Sequence, residues 1–109
     1  MELKEIVKIY FKYFSNKDLQ NLENLFSENI TLKDWDINVI GKQEVLKANK
    51  NIFESVESIL VTLSKIYQDK NVVLCEIDIL INRKEKLRVI DIIKFDENNK
   101  IKEILAYKQ

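Results

Sequence analysis

The sequence predicts an α+β fold in which helices come first and an antiparallel sheet follows. Three segments before residue 55 place apolar side chains at helical spacing, and the chain from residue 57 onward alternates apolar and polar side chains as strands do. Polar runs of about three to five residues separate the strand-like segments, a length typical of hairpins. Helices segregated from such a sheet define an α+β domain. The 109 residues are enough for one domain, residues 1–109.

Three helices are predicted in the first half of the chain. The first covers residues 2–14, where an apolar stripe recurs every three or four positions. The stripe consists of Leu3, Ile6, Val7, Tyr10 and Phe14. Ser15, Asn16 and Lys17 interrupt it, and Asp18 is a suitable N-cap for a short second helix. The third helix, about residues 42–54, follows Gly41.

Five strands are predicted. Residues 27–29 are predicted to end the second helix, and the first strand follows at residues 30–36. In this strand Asp34 shares a face with Ile30 and Leu32, whereas Trp35 lies on the opposite face. The other four strands cover residues 57–67, 72–82, 86–95 and 100–108. Strict alternation in the first of these four predicts that Tyr67 shares the inward face of Ile59, Val61 and Leu63.

The residue types that are missing exclude several kinds of chemistry. There is no histidine, which removes Ser-His and Cys-His nucleophiles and His-based zinc sites. Cys75 is the one cysteine, so no disulfide can form within the chain, and Cys75 is expected to be a core thiol. Eighteen basic residues balance eighteen acidic ones, which argues against a nucleic-acid partner. The N-terminal segment does not have the pattern of a signal peptide and no stretch is long and apolar enough for a membrane helix, so we expect a cytoplasmic protein.

Asp91 is an acid on an otherwise apolar face. In the strand over residues 86–95, Leu87, Val89, Ile93 and Phe95 share its register. Because side chains alternate with a period of two, Asp91 must point where these neighbours point. A buried carboxyl group without a cation prefers to be neutral, which raises its pKa and lets it donate a hydrogen bond.

Asp34 and Tyr10 show weaker forms of the same conflict. Asp34 lies at the end of a short strand on an apolar register, where an acid is placed for general-base work. Tyr10 lies on the apolar stripe of the first helix, and a buried tyrosine hydroxyl usually needs a partner. Two acids and one tyrosine on inward registers could meet in one cavity.

Each of these residues also has a purely structural interpretation. Asp91 could accept hydrogen bonds from Tyr10 or from a backbone amide, Asp34 could cap a strand end in water, and Tyr10 could be an ordinary core aromatic. Glu76 and Asp78 interrupt another apolar strand; they could form a second pocket wall, or a mixed sheet surface at an exposed edge or dimer contact.

The chain resembles the SnoaL-like members of the nuclear transport factor 2-like superfamily over about residues 5–108. The resemblance rests on IVKIYFKYFSNKDLQNLENLFSENITLKDWD, on Gly41 opening a helix, and on VIDIIKFDENNKIKEILAY. It implies a cone-shaped fold in which a curved, mainly antiparallel sheet wraps three helices around an apolar pocket. It also implies a homodimer formed through the sheet, and no metal or organic cofactor.

Within that superfamily the chain is similar to ketosteroid isomerase, an established case of a neutral aspartic acid in an apolar site. Tyr10, in IVKIYFKYF, matches that family's oxyanion-hole tyrosine. Asp34, in ITLKDW, matches its general base, and Asp91, in VIDIIKF, matches its protonated aspartic acid. The residue after the base is proline in the isomerases and Trp35 here. Trp35, Phe14 and Phe53 are candidates for the pocket lining.

Two functional hypotheses follow from these observations. The first is an enzyme that moves a proton next to the carbonyl of a small apolar substrate, with Asp34 as base and with Tyr10 and Asp91 as hydrogen-bond donors. The second is a non-catalytic module of the same fold that binds a ligand or another protein, in which Asp91 is structural. Neither hypothesis involves a nucleic acid or a membrane.

Overall fold

The computed structural model describes residues 1–109, with three helices packed against the concave face of a six-stranded sheet. The helices are α1 (Leu3–Ser15), α2 (Leu19–Leu25) and α3 (Lys42–Ser55). The strands are β1 (Phe26–Lys33), β2 (Asn38–Ile40), β3 (Ile59–Asp69), β4 (Val72–Ile81), β5 (Glu85–Phe95) and β6 (Ile101–Lys108). The sheet order is β2-β1-β6-β5-β4-β3, and every neighbouring pair is antiparallel except β1 and β6. The predicted α+β class is confirmed.

The helices form where the apolar stripes predict them. The buried face of α1 carries Ile6, Val7, Tyr10 and Phe11. Asp18 caps α2 as predicted, because its carboxylate accepts a hydrogen bond from the Asn21 amide at 3.2 Å. These helices pack on a core of 19 buried apolar residues. None of the three is long and apolar enough to cross a membrane.

Lys17 joins the first two helices to the third. Its backbone adopts a positive φ of 56° in the turn between α1 and α2. Its ammonium group donates to the carbonyl oxygens of Val56 at 2.7 Å and Glu57 at 3.1 Å, just beyond the end of α3. A cation at a helix C-terminus satisfies carbonyl groups that have no partner within the helix. At the other end of α3, Gly41 has a φ of 98°, which favours glycine.

The predicted boundary between the second helix and the first strand, at residues 27–29, was wrong. β1 begins at Phe26, directly after α2, and ends at Lys33, so it starts earlier and stops sooner than the alternation indicated. Its partner is β6, in a parallel register with an irregularity between Phe26 and Thr31. The residues between them, 27–30, have no registered partner in β6, and the backbone stays extended through this irregularity between the pairs of Phe26 and Thr31. The short strand β2, which pairs with β1, was not predicted.

The predicted inward position of Tyr67 was also wrong. The register of β3 against β4 shifts between Leu63 and Lys65. An extra residue in a strand reverses the facing of every residue after it. Ile66 therefore lies opposite the buried Cys75, and Tyr67 lies on the outer face, where about half of its side chain is exposed. Cys75 itself is a fully buried core thiol, as predicted.

Candidate functional site

A cavity of about 260 Å³ lies between the helices and the concave face of the sheet. Seventeen of its 22 lining residues are hydrophobic, contributed by α1, α3 and most of the strands. Tyr10, Asp34 and Asp91 all line it, so the fold brings the three sequence-predicted residues to one cavity. The lining contains no lysine or arginine.

Asp91 lies in the cavity wall on the inward face of β5. Its strand neighbours Val89 and Ile93 are almost completely buried, and Asp91 is itself only 6% exposed. Burial raises the pKa of Asp91 to about 7, and the negative charge of Asp34 adds to that effect. Since no cation offsets this burial, the carboxyl group holds its proton over a much wider pH range than an exposed aspartic acid does.

Neither Asp91 nor Tyr10 makes a side-chain hydrogen bond within the chain. Buried polar groups are normally paired. The structural interpretation in which Asp91 accepts hydrogen bonds from Tyr10 or a backbone amide therefore does not describe this fold. Both groups are free to pair with a molecule in the cavity.

Tyr10 extends from α1 into the same cavity. Its ring packs against Phe11, Phe14 and Phe26, with centroids 5.2, 6.1 and 6.3 Å away. Burial raises the pKa of the Tyr10 hydroxyl well above its ordinary value, and the nearby acidic groups, Asp91 foremost, raise it further. The hydroxyl therefore remains a hydrogen-bond donor at any physiological pH.

Asp34 lies in the loop after β1 rather than within the strand, which corrects its predicted place. Its Oδ1 accepts hydrogen bonds from the backbone amides of Asp36 and Ile37, both at 2.7 Å. The Asp34 amide in turn donates to the Ile37 carbonyl at 2.8 Å. These bonds fix the carboxylate at the cavity wall and leave Oδ2 without a partner in the chain. A held carboxylate with one free oxygen can accept a proton from a bound molecule.

The three predicted aromatic lining residues have different positions. Phe14 and Trp35 line the cavity, but Phe53 does not. The buried Phe53 ring packs edge-on against Phe14 with centroids 4.9 Å apart, so it supports the wall from behind. Trp35 belongs to the Asp34 loop, is 40% exposed, and has the Lys108 ammonium 5.2 Å from its ring centroid.

Asn49 is a cavity residue that sequence reasoning missed. It lies on α3, is only 2% exposed, and its Nδ2 has no hydrogen-bond partner. The available signal was an amide in phase with the apolar residues Val45, Ile52 and Phe53. Asn49 and Asp91 are the two polar residues among the 21 buried residues of the protein.

Glu76 and Asp78 do not contribute to the cavity. They lie on the outer face of the sheet, where Arg88 pairs with Glu76 and with Asp78, each at 3.1 Å. The hydrogen bond to Asp78 is the main cause of the raised pKa of Arg88. No cluster of three or more potential metal ligands occurs in the protein.

Solved structures with the same fold belong to proteins that are named after different enzyme activities. A protein from Shewanella denitrificans, provisionally assigned as a SnoaL-like polyketide cyclase, is 14% identical with a TM-score of 0.88, over 98% of this chain and 90% of that one. A provisionally assigned ketosteroid isomerase from Kribbella flavida is 11% identical with a TM-score of 0.86, over 98% and 77%. An epoxide hydrolase from M. tuberculosis is 15% identical with a TM-score of 0.80, over 94% and 79%.

Sequence comparison gives the family. No curated protein sequence matches the chain. The model of the SnoaL-like domain, however, matches residues 7–104, which includes most of α1, all of α3, the Asp34 loop and the strand that carries Asp91. With the cone of helices and curved sheet that the solved structures share, this match confirms the predicted resemblance: the chain belongs to the SnoaL-like family.

Proposed function

We propose that this protein binds a small uncharged carbonyl compound in its cavity and moves a proton next to the carbonyl group. The observation that carries the proposal is the Asp91 carboxyl group, buried in an apolar wall without a hydrogen bond, in the same cavity as Tyr10 and Asp34. A carboxyl group placed in this way has no partner within the chain, and a ligand oxygen can supply one.

The chemistry divides among the three residues. Asp34 accepts the proton from the carbon next to the carbonyl group, at the oxygen that the loop amides leave free. Negative charge then develops on the carbonyl oxygen, and the Tyr10 hydroxyl and the protonated Asp91 donate hydrogen bonds to it. Asp34 returns the proton to another carbon of the same molecule, so the reaction consumes nothing and is an isomerisation.

The size of the cavity limits the substrate. A volume of about 260 Å³ falls just below the roughly 300–1,000 Å³ of typical ligand pockets. The related structures carry the names of a cyclase, an isomerase and an epoxide hydrolase, so the fold alone does not choose the reaction. A compound with one ring or a short branched chain suits the space, and an apolar body suits the lining.

The isomerisation of 3-cyclohexen-1-one to its conjugated isomer tests the proposal, because the product absorbs in the ultraviolet. We expect the wild type to accelerate this reaction and Asp34→Asn to reduce the rate by about 100-fold or more. Asp96→Asn is the matched control, since Asp96 also accepts two backbone amides in a loop but lies outside the cavity. Equal rates for wild type and Asp34→Asn would remove Asp34 from the mechanism.

Binding without turnover is the second candidate function. It is favoured by the predominance of apolar residues in the lining, which suits retention of an apolar ligand. It predicts that ketones bind to the wild type and to Asp34→Asn with equal affinity, while neither protein isomerises them. The same two variants therefore separate the enzyme from the binding module.

We also propose that two copies of the chain associate through the outer face of the sheet. One row of cross-strand neighbours on this face is apolar on four successive strands, β3 to β6. It consists of Tyr67, Leu74, Ile92 and Leu105, each opposite the next. Arg88 and its partners Glu76 and Asp78 lie beside this row and provide charged groups of both signs. A mixed surface of this kind suits pairing with its own copy.

A further inference from the structure

The side chain of Asn49 is buried, and no group of the chain accepts a hydrogen bond from its Nδ2. An amide group placed in apolar surroundings without a hydrogen bond destabilises the folded state. A structural asparagine in a helix would normally reach a backbone group, but the Asn49 Nδ2 reaches none. Its neighbours in phase on α3 are apolar, so leucine would pack at this position without leaving an unsatisfied donor.

The position of Asn49 relates it to the cavity rather than to the core. Asn49 lines the cavity from α3, whereas Tyr10 lines it from α1 and Asp91 from β5. Polar groups therefore reach the space from three separate elements. One ligand oxygen held by Tyr10 and Asp91 leaves the Asn49 amide without a partner, unless the ligand has a second polar group.

We propose that Asn49 is a specificity-determining residue that binds a second polar group of the ligand. This inference rests on the proposed function and names its substrate class: an uncharged carbonyl compound that carries a second hydroxyl or carbonyl oxygen. Nδ2 is enclosed by protein atoms, but rotation of the amide by half a turn exchanges its nitrogen and oxygen. The side chain can therefore present an acceptor to a ligand hydroxyl or a donor to a carbonyl oxygen. The lining disfavours an anionic ligand, because it contains the acids Asp34 and Asp36 and no basic residue to pair with an anion.

Matched pairs of phenols test this assignment, since a phenol oxygen imitates the enolate that Tyr10 and Asp91 would bind. The pairs are the three dihydroxybenzenes and the three cresols, in which a methyl group replaces the second hydroxyl at the same ring position. Calorimetric titration of wild type and Asn49→Leu gives, for each pair, the ratio of the cresol Kd to the dihydroxybenzene Kd. We expect this ratio to be about tenfold larger in the wild type for at least one pair.

Three further measurements separate the possible outcomes. Phenol itself should bind to Asn49→Leu as it does to wild type, and the Tm of the variant should equal or exceed that of wild type. Val45→Ala is the control for packing of α3, since Val45 is buried on the same helix but does not line the cavity; it should leave the ratios unchanged. If Asn49→Leu does not fold, Asn49→Ala replaces it in the same comparison.

Equal ratios in wild type and variant for all three pairs would overturn the role of Asn49 while leaving the proposed function intact. Failure of phenol and of every substituted phenol to bind to the wild type would instead contradict the proposed function, and with it the role of Asn49.

Discussion

The Asp91 carboxyl group lies in an apolar wall without the hydrogen bonds that normally accompany a buried acid. Its pKa rises from 3.8 to about 7, primarily through burial. Between these two values the folded protein holds a proton that the unfolded chain releases. The stability that this proton gives is complete below about pH 4 and is lost progressively between about pH 4 and pH 7, to a total of about 4 kcal/mol.

Asp91→Asn tests this linkage. The variant cannot ionise, so its free energy of unfolding should exceed that of wild type by about 4 kcal/mol at pH 8 and by about 1.5 kcal/mol at pH 5. Urea denaturation at the two pH values measures the difference. Asp78→Asn, which removes an acid on the outer face of the sheet, should change stability by less than about 1 kcal/mol at both. A variant less stable than wild type at pH 8 would show that the ionised carboxyl group is structurally required.

Among the elements, the connection between α1 and α2 has a role beyond that of a turn. Lys17 reaches across to the end of α3 and donates to two carbonyl groups there. Because α1 and α3 both line the cavity, this contact helps to hold together the helices that carry Tyr10 and Asn49.

Lys17→Met should lower the free energy of unfolding by about 1–2 kcal/mol, since it removes two charge-assisted hydrogen bonds but keeps the apolar part of the side chain. Lys47→Met is the control, because Lys47 is exposed on α3 and makes no ion pair or side-chain hydrogen bond. Thermal denaturation compares the two. If both variants lose the same stability, the contact with α3 contributes nothing.

At the scale of the whole molecule, the proposed dimer depends on the outer face of the sheet. Ile92 lies at the centre of the apolar row, between Leu74 and Leu105. Ile92→Lys places a charge there and should convert a dimer into a monomer in sedimentation velocity, with an unchanged far-ultraviolet circular dichroism spectrum. Gln43→Lys adds the same charge on the exposed side of α3 and should leave the dimer intact. A monomeric wild type would contradict association through this face.

The parts of the fold with a regular pattern could be predicted from the sequence, and the parts set by distant pairing could not. The stripe of α1 and the alternation around Asp91 are local and strong, and both predictions held. The start of β1 at Phe26 and the reversal of facing before Tyr67 depend on register with β6 and β4, which local alternation does not contain.

The candidate site could likewise be predicted only in part. Asp91 was found because its register conflicts with its charge. Asp34 was found in spite of a wrong strand end, since the loop still turns it to the cavity. Asn49 was missed because an amide on a helix stripe does not reveal from sequence whether the backbone satisfies it.

The central claim is that Tyr10 and Asp91 together bind a developing negative charge on oxygen. Titration of an electron-poor phenol, followed by its ultraviolet spectrum, measures this most directly, with Tyr10→Phe as the test and Tyr13→Phe, one turn further along α1, as the control. We expect the bound phenol to ionise at lower pH than the free phenol, and its affinity to fall about tenfold or more in Tyr10→Phe alone. An unshifted spectrum, or no binding to the wild type at millimolar phenol, would contradict the claim.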